Sequence, residues 1–115
     1  AAFHLDRGRR LYEQLQDREA TDELSRALYL SPYEAEAHLL LGRIYLRTGR
    51  LGEATGALKI SIWSRETAAA HAVLGDAYLQ SKDPARARAE LQKALQLDPQ
   101  SPDAKKLAAK IEGRQ

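Results

Sequence analysis

His71-Ala72-Val73-Leu74-Gly75-Asp76-Ala77-Tyr78 has two earlier counterparts, His38-Leu39-Leu40-Leu41-Gly42-Arg43-Ile44-Tyr45 and His4-Leu5-Asp6-Arg7-Gly8-Arg9-Arg10-Leu11. The histidine–glycine pairs lie 34 and then 33 residues apart, and Ala20, Ala54 and Ala87 keep the same step. A period near 34 marks a chain built from one supersecondary unit copied three times, not from a single interdigitated core. Such units bury their apolar faces against their neighbours and leave extended surfaces free. The pattern points to binding as a kind of work before it points to any partner.

Between these stretches the punctuation is regular: Ser31-Pro32, Thr48-Gly49, Asp83-Pro84, Asp98-Pro99 and Ser101-Pro102. Proline just after a cap-type residue suits the first turn of a helix, where its missing N–H is not needed. Apolar residues recur at three- and four-residue steps, as in Leu41, Ile44, Tyr45 and then Leu51, Ala54, Leu58, Ile62. The spacing predicts helices near 2–14, 18–30, 34–48, 51–64, 67–81, 84–97 and 102–112, joined by short loops that make neighbours antiparallel. The expected architecture is all-α, an α-solenoid of three helix–turn–helix units in one domain spanning residues 1–115. The units fall at about 1–34, 35–67 and 68–101, and a capping helix follows at about 102–112. In that last helix Leu107 and Ile111 would face inward and the lysines outward, closing an open-ended array with a wet face.

The chain has 115 residues, of which 30% are charged and 43% hydrophobic, within the range of folded globular domains. Its net charge of +2 is too mild to imply nucleic acid or an anionic membrane by itself. Twelve of the 18 basic residues are arginine, so local arginine clusters carry more information than the total. With no cysteine there is no disulfide, thiolate nucleophile or cysteine-ligated metal. No apolar run approaches the ~18 residues a membrane span needs, and no signal-peptide pattern is present. The compartment stays open between cytoplasm and periplasm. A start at Ala1 inside a helical pattern, with no methionine anywhere, reads as a piece of a longer protein. The end, Ile111-Glu112-Gly113-Arg114, is either a helix tail with a glycine stop or a remnant engineered protease site.

Leu41, Gly42, Tyr45, Ala54 and Leu58, followed one unit later by Leu74, Gly75, Tyr78, Ala87, Leu91, Ala94 and Pro99, resemble the tetratricopeptide repeat. The run Ala94-Leu95-Gln96-Leu97-Asp98-Pro99 is especially similar to the usual end of that unit, and Gly8, Ala20 and Pro32 hold the same register in the first copy. The resemblance covers residues 1 to about 101. Physically, Gly42 and Gly75 would let the second helix of a pair approach closely, Ala54 and Ala87 would offer the matching small surface, and Tyr45 and Tyr78 would fill the space between units. The first unit departs from this, with Arg7 and Leu11 where later units have leucine and tyrosine. The second lacks the closing proline and is one residue short, and Trp63 is expected to fill the apolar slot taken by Leu30 and Leu97.

Three histidines invite a metal reading. Successive first helices are expected roughly 20 Å apart across an intervening helix, whereas ligands of one ion sit about 2 Å from it. Packing is the expected role, since the family often carries a bulky aromatic there. The many carboxylates form no recognisable arrangement with a histidine and a nucleophile, and no glycine-rich phosphate loop follows a strand, so catalysis is not expected. No cofactor is implied.

The resemblance implies that the first helices line a concave groove. By alignment that groove takes Leu5, Arg9 and Tyr12 from the first unit, Leu39, Arg43, Leu46 and Arg47 from the second, and Asp76 and Leu79 from the third. Some relatives grip a C-terminal carboxylate there with lysine and asparagine. The corresponding places hold Leu5, Arg9, Arg43, Ala69 and Val73, so that clamp is absent and a chaperone-tail role is disfavoured. An apolar strip flanked by arginines suits a peptide or amphipathic helix of another protein with some acidic residues. The bland alternative is that the leucines pack against neighbouring helices and the arginines merely solubilise. Self-association through exposed terminal helices, by end-to-end stacking or pairing through the open first helix, is a second reading. Single-stranded RNA is a third, weakened by Glu13, Glu36 and Asp76 interrupting the basic patch.

Overall fold

The computed structural model describes residues 2–113, and Arg114 of the terminal tetrapeptide lies outside the described residues. Seven helices follow one another: α1 (Ala2–Glu13), α2 (Asp17–Leu30), α3 (Ala35–Arg47), α4 (Leu51–Ser64), α5 (Ala68–Gln80), α6 (Pro84–Leu97) and α7 (Pro102–Ile111). Every boundary falls within one residue of the sequence expectation. No strand occurs among the described residues. The missing residue of the second unit is absorbed in the α4–α5 loop, which runs only from Arg65 to Thr67.

The hairpins α1–α2, α3–α4 and α5–α6 are the most extensively packed pairs. Along the array α1 touches α3, α3 touches α5 and α5 touches α7, whereas among the described residues α2 does not touch α4, nor α4 α6. First helices that meet while second helices stand apart force the row to curve, with the odd-numbered helices inside. This corrects the expectation that an intervening helix separates successive first helices. The outcome is an all-α solenoid measuring 38 × 24 × 23 Å.

Close approach within each hairpin comes from glycine. A Cβ on Gly8 would lie 2.7 Å from Leu24 Cδ2, and one on Gly42 would lie 2.6 Å from Leu58 Cδ2. Both leucines are fully buried, as are Ala20, Ala54 and Ala87. At Gly75 the nearest atom is Cδ2 of Leu107, 2.5 Å from the same hypothetical carbon, and Leu107 belongs to α7. The capping helix is thus keyed into the third unit by the device that closes the first two hairpins. Tyr45 bridges the two larger apolar clusters, and Tyr78 packs against the second of them.

The turn inside each hairpin places one residue in the left-handed region: Leu15 (φ 61), Gly49 (φ 79) and Lys82 (φ 66). In each, the next N–H reaches back to the helix: Gln16 to the carbonyl of Leu11, Arg50 to that of Tyr45, and Asp83 to that of Tyr78, at 2.8–2.9 Å. This is the Schellman closure, and only Gly49 announces it in sequence. The last three helices carry side-chain caps, with Thr67 accepting from the Ala70 N–H, Asp83 from Arg86 and Ser101 from Ala104. Pro32 lies in the loop that joins the first two hairpins, and Pro99 in the loop that leads from the third hairpin to the capping helix.

Trp63 fills no apolar slot. It is 72% exposed, and Leu30 and Leu97, whose slot it is expected to take, are themselves 56% and 48% exposed; by the repeat step Trp63 stands in the place of Tyr29, which is also exposed. Two serines near the end of α4 explain why the second unit holds without its proline. Buried Ser61 donates to the carbonyl of Ala35 at 2.8 Å, and Ser64 donates to the carbonyl of Tyr33, tying the end of α4 back to the start of α3.

Two glycines give opposed predictions. Gly42→Ala is expected to lower unfolding free energy by about 1–3 kcal/mol, because its methyl must displace Leu58 from a packed core. Gly56→Ala, on α4 with nothing within 4 Å, is expected to raise it by about 0.5–1 kcal/mol through helix propensity. Urea unfolding followed by circular dichroism measures both.

Candidate functional site

The inner face holds a hollow of about 280 Å³ to which all four odd-numbered helices contribute. Tyr12 comes from α1, Arg43, Leu46 and Arg47 from α3, Asp76 from α5, and Asp103, Lys106 and Lys110 from α7, with Ala72, Val73 and Gln80 between them. Of the residues expected in the groove, Tyr12, Arg43, Leu46, Arg47 and Asp76 are brought together here. The other four are not. Leu5 packs on the cluster around Leu24 and Leu41, and Leu39 packs on the cluster around Leu58 and Leu74. Leu79 is half-buried outside the lining, and Arg9 is tied up on α1. Leu5 and Leu39 thus pack within the array outside the lining, while Leu46 both packs and faces the hollow.

The arginines are not merely solubilising. Arg9 donates to Glu36 at 2.7 Å and to Asp6 at 2.8 Å, joining α1 to α3. Those hydrogen bonds, first the one to Glu36 and then the one to Asp6, push an already basic guanidinium further up. Arg47 pairs with Asp17 of α2, donates to the Tyr12 carbonyl at 3.1 Å and lies 4.3 Å above the Tyr12 ring. Its hydrogen bond to Asp17 likewise raises its pKa against the opposing effect of burial. Arg43 reaches over α5 to meet Asp103 of α7 with two hydrogen bonds of 3.1 and 3.2 Å. The short side chains of Ala72 and Val73 on α5 leave room for that reach. Lys110 closes the set on Asp76 at 2.7 Å. Partly exposed pairs of this kind contribute about 1 kcal/mol each at most. Their larger effect is to tie five helices, α1, α2, α3, α5 and α7, to one another.

Asp103, Lys106 and Lys110 escape the sequence expectation for this site, because the lysines of α7 read as an outward face. A signal for them is nevertheless present. The 34- and 33-residue step that relates Arg9, Arg43 and Asp76 carries on to Lys110, and the step through Leu5, Leu39 and Ala72 carries on to Lys106. Among the described residues Lys106 has no ion-pair partner, so its ammonium group is the uncommitted charge of the hollow.

The histidines each find a polar partner, which for His4 lies on its own unit and for His38 on the unit before. His71 is buried with Nδ1 2.6 Å from Glu90 and Nε2 2.6 Å from Glu66. His4 Nδ1 lies 3.3 Å from both oxygens of the buried Glu23. The pairs with Glu23 and Glu90 obey a 19-residue step that is legible in the sequence. In the middle unit that step ends on Ala57, and His38 turns instead to the Pro32 carbonyl at 2.9 Å. No cluster of three or more potential metal ligands occurs among the described residues.

Residues 5–62 and 68–101 match family models of the tetratricopeptide repeat, and the chain belongs to that family. Members of this family are generally protein-interaction modules without catalysis. No curated protein matches the sequence. In structure it is similar to the first TPR of Spaghetti (RPAP3) bound to the HSP90 peptide SRMEEVD, at 18% identity and TM-score 0.88 over 97% of this chain and 90% of that one. The Arabidopsis OM64 TPR domain gives 18% identity and TM-score 0.89, covering 97% and 93%. TTC0263, a thermophilic TPR protein of Thermus thermophilus, gives 27% identity and TM-score 0.72, covering 93% of this chain and 53% of that one. No described helix is long and apolar enough to cross a membrane.

Burial pushes the Glu23 carboxyl up, but hydrogen bonds from His4 and Arg26 and the charges of Arg7 and Arg26 outweigh it and hold the group below its usual 4.5. A depressed carboxylate contributes stability that is present above the unfolded value and lost as pH falls through the folded one. Glu23→Gln is therefore expected to unfold at lower urea than the parent at neutral pH, with the gap narrowing as pH drops below about 4.5. A gap that stays constant from neutral to acid pH contradicts this account.

Proposed function

We propose that this chain is a non-enzymatic interaction module: one domain of three tetratricopeptide units, about 1–34, 35–67 and 68–101, with a capping helix at about 102–112. Its inner hollow takes a segment of another protein. The observation that carries this reading is the lining itself. Arg43, Arg47, Lys106 and Lys110 stand around an apolar floor of Leu46, Ala72 and Val73, against only Asp76 and Asp103 in the same lining. The surplus is positive, so the preferred segment carries carboxylates beside apolar side chains.

The preformed pairs set the terms of binding. Arg43, Arg47 and Lys110 already hold carboxylates, and an incoming segment gains from each only where it supplies a carboxylate of its own in exchange. Lys106 needs no such exchange and gives the first foothold. Side chains already fixed by hydrogen bonds lose little freedom on binding, and charge complementarity sets orientation and on-rate more than affinity. The peptide in the Spaghetti complex is itself acidic, which supports the same choice. The lysine and asparagine clamp for a chain terminus is missing at Leu5, Arg9, Arg43, Ala69 and Val73, so acidic residues within the segment, not a terminal carboxylate, carry the recognition. A nucleic acid would set its phosphates against Asp76 and Asp103, so it is disfavoured.

Self-association through α1 is the second reading, favoured by the exposed Phe3 with the Arg7 guanidinium 5.6 Å above its ring. Stacking of copies end to end would bring Arg7 and Arg10 of α1 toward Lys105 and Lys106 of α7, like charges that repel. Light scattering across protein concentration is expected to give a constant monomer mass; a mass rising toward twice that value favours self-association instead.

Lys106→Glu breaks no internal pair and is the cleanest probe of the hollow. Pull-down of proteins captured by the unsubstituted chain is expected to weaken by roughly tenfold with Lys106→Glu and to fail with Arg43→Glu/Arg47→Glu. Capture of every partner unchanged by both variants removes the hollow as the binding site.

A further inference from the structure

Trp63 is the chain's single tryptophan and lies near the end of α4 on the outer face, its ring edge-on to that of exposed Tyr33 with centroids 5.3 Å apart. Beside it runs a cleft of about 250 Å³ between α4 and α6, floored by Leu74 and Tyr78 of α5, walled by Ile62 and Trp63, and rimmed by Lys59 and Lys93. It is separate from the inner hollow. His71, Leu74 and Tyr78 line the cleft while Ala72, Val73, Asp76 and Gln80 line the hollow, and at 100° per residue these sets occupy opposite sides of α5.

The repeats themselves provide a control. One unit earlier, the places of Lys59, Trp63, Glu90 and Lys93 are held by Ser25, Tyr29, Ala57 and Ile60. An aromatic residue at the end of the second helix recurs, but the basic rim belongs to the second junction alone. At that junction Glu90 is engaged by His71 at 2.6 Å, and Lys93 stands 3.5 Å from the same carboxylate. Lys59 has no ion-pair partner among the described residues. An apolar slot with two ammonium groups at its edge attracts a carboxylate-flanked apolar group. The volume falls below the ~300–1,000 Å³ of ordinary small-molecule sites and suits a single side chain. Exposed tryptophan and tyrosine are the side chains that most often anchor protein contacts.

We propose that this outer cleft is a second docking site, for a short partner segment in which an aromatic or large aliphatic side chain is flanked by Asp or Glu. The ring enters beside Trp63 over Leu74 and Tyr78, and the flanking carboxylates meet Lys59 and Lys93. The site does not depend on the inner hollow, so one module can hold two segments on opposite faces.

Trp63 reports on its own occupancy. The blocked peptide acetyl-Asp-Glu-Phe-Glu-Asp-amide, which lacks tryptophan, is titrated into the intact chain while Trp63 emission is recorded. The expected result is a saturable blue shift that weakens at least tenfold in Lys59→Glu and further in Lys59→Glu/Lys93→Glu, both surface changes checked for folding by circular dichroism. The same peptide with Ala for Phe is expected to give no saturable shift, and the Lys106→Glu variant to respond like the parent, which separates this site from the hollow. The proposal is overturned by the absence of a saturable shift, or by equal affinity in the lysine variants. It is also overturned by a shift that follows protein concentration without peptide, which makes a second copy the occupant, or by one produced only by phosphatidylserine vesicles.

Discussion

A leucine lying on a glycine is the contact on which the architecture depends. Leu24 over Gly8 and Leu58 over Gly42 leave no space for even a methyl group. Each hairpin therefore closes to a distance that other residues forbid, and each leucine is removed completely from water. Burying such a side chain is favourable by about 1.5–3 kcal/mol, but the geometric effect is larger than the energetic one. A fixed approach within every hairpin leaves the angle between hairpins as the remaining freedom, and direct contact between odd-numbered helices settles it. Curvature, and with it a hollow inner face, follows from a single hydrogen atom where a side chain would otherwise stand.

The third unit shows the same constraint answered differently. Leu91 occupies the register of Leu24 and Leu58, yet the atom that crowds Gly75 most closely is on Leu107 of α7. The capping helix is for this reason a structural partner of α5, fastened on the inner side by Lys110 to Asp76 and at longer range by Asp103 to Arg43. A helix that closes the array by burying its apolar stripe is thereby also a wall of the hollow.

Helix positions are legible in the sequence because they rest on local information: apolar spacing, proline and glycine punctuation, and a repeat that gives each feature three times. Gly8, Gly42 and Gly75 take a packing role because Ala20, Ala54 and Ala87 accompany them. The hollow is legible in outline only. Leu5 and Leu39 have the same composition whether they face a groove or a core, and only the rotation of each helix decides. Arg43 reads as a free cation because its partner, Asp103, lies 60 residues away. Long-range pairs leave no trace in one sequence unless the period is carried past the last obvious unit, as it can be from Arg9 through Arg43 and Asp76 to Lys110. The left-handed turns at Leu15 and Lys82 are hidden for another reason. A non-glycine residue there costs about 1–2 kcal/mol, and the hairpin packing on either side outweighs that cost.

Repetition separates what the fold needs from what a particular surface does. Positions filled alike in every unit, the glycines at the close approaches and the fully buried Ala20, Ala54 and Ala87, serve packing and leave no choice. Where the units differ, packing has not decided the residue. The buried carboxylate partner of histidine in the first and third units gives way to Ala57 in the second, and a carbonyl takes its place. The outer rim is basic at one junction and neutral at the other. The inner register runs arginine, arginine, aspartate, lysine along a face where any polar residue would be soluble. The departures on the outer rim and in the inner register sit at partly exposed positions and cost little stability, so they are free to be set by what the surfaces meet. The inner hollow and the outer cleft lie on two opposite sides of α5, the one helix flanked by a unit before it and a cap after it.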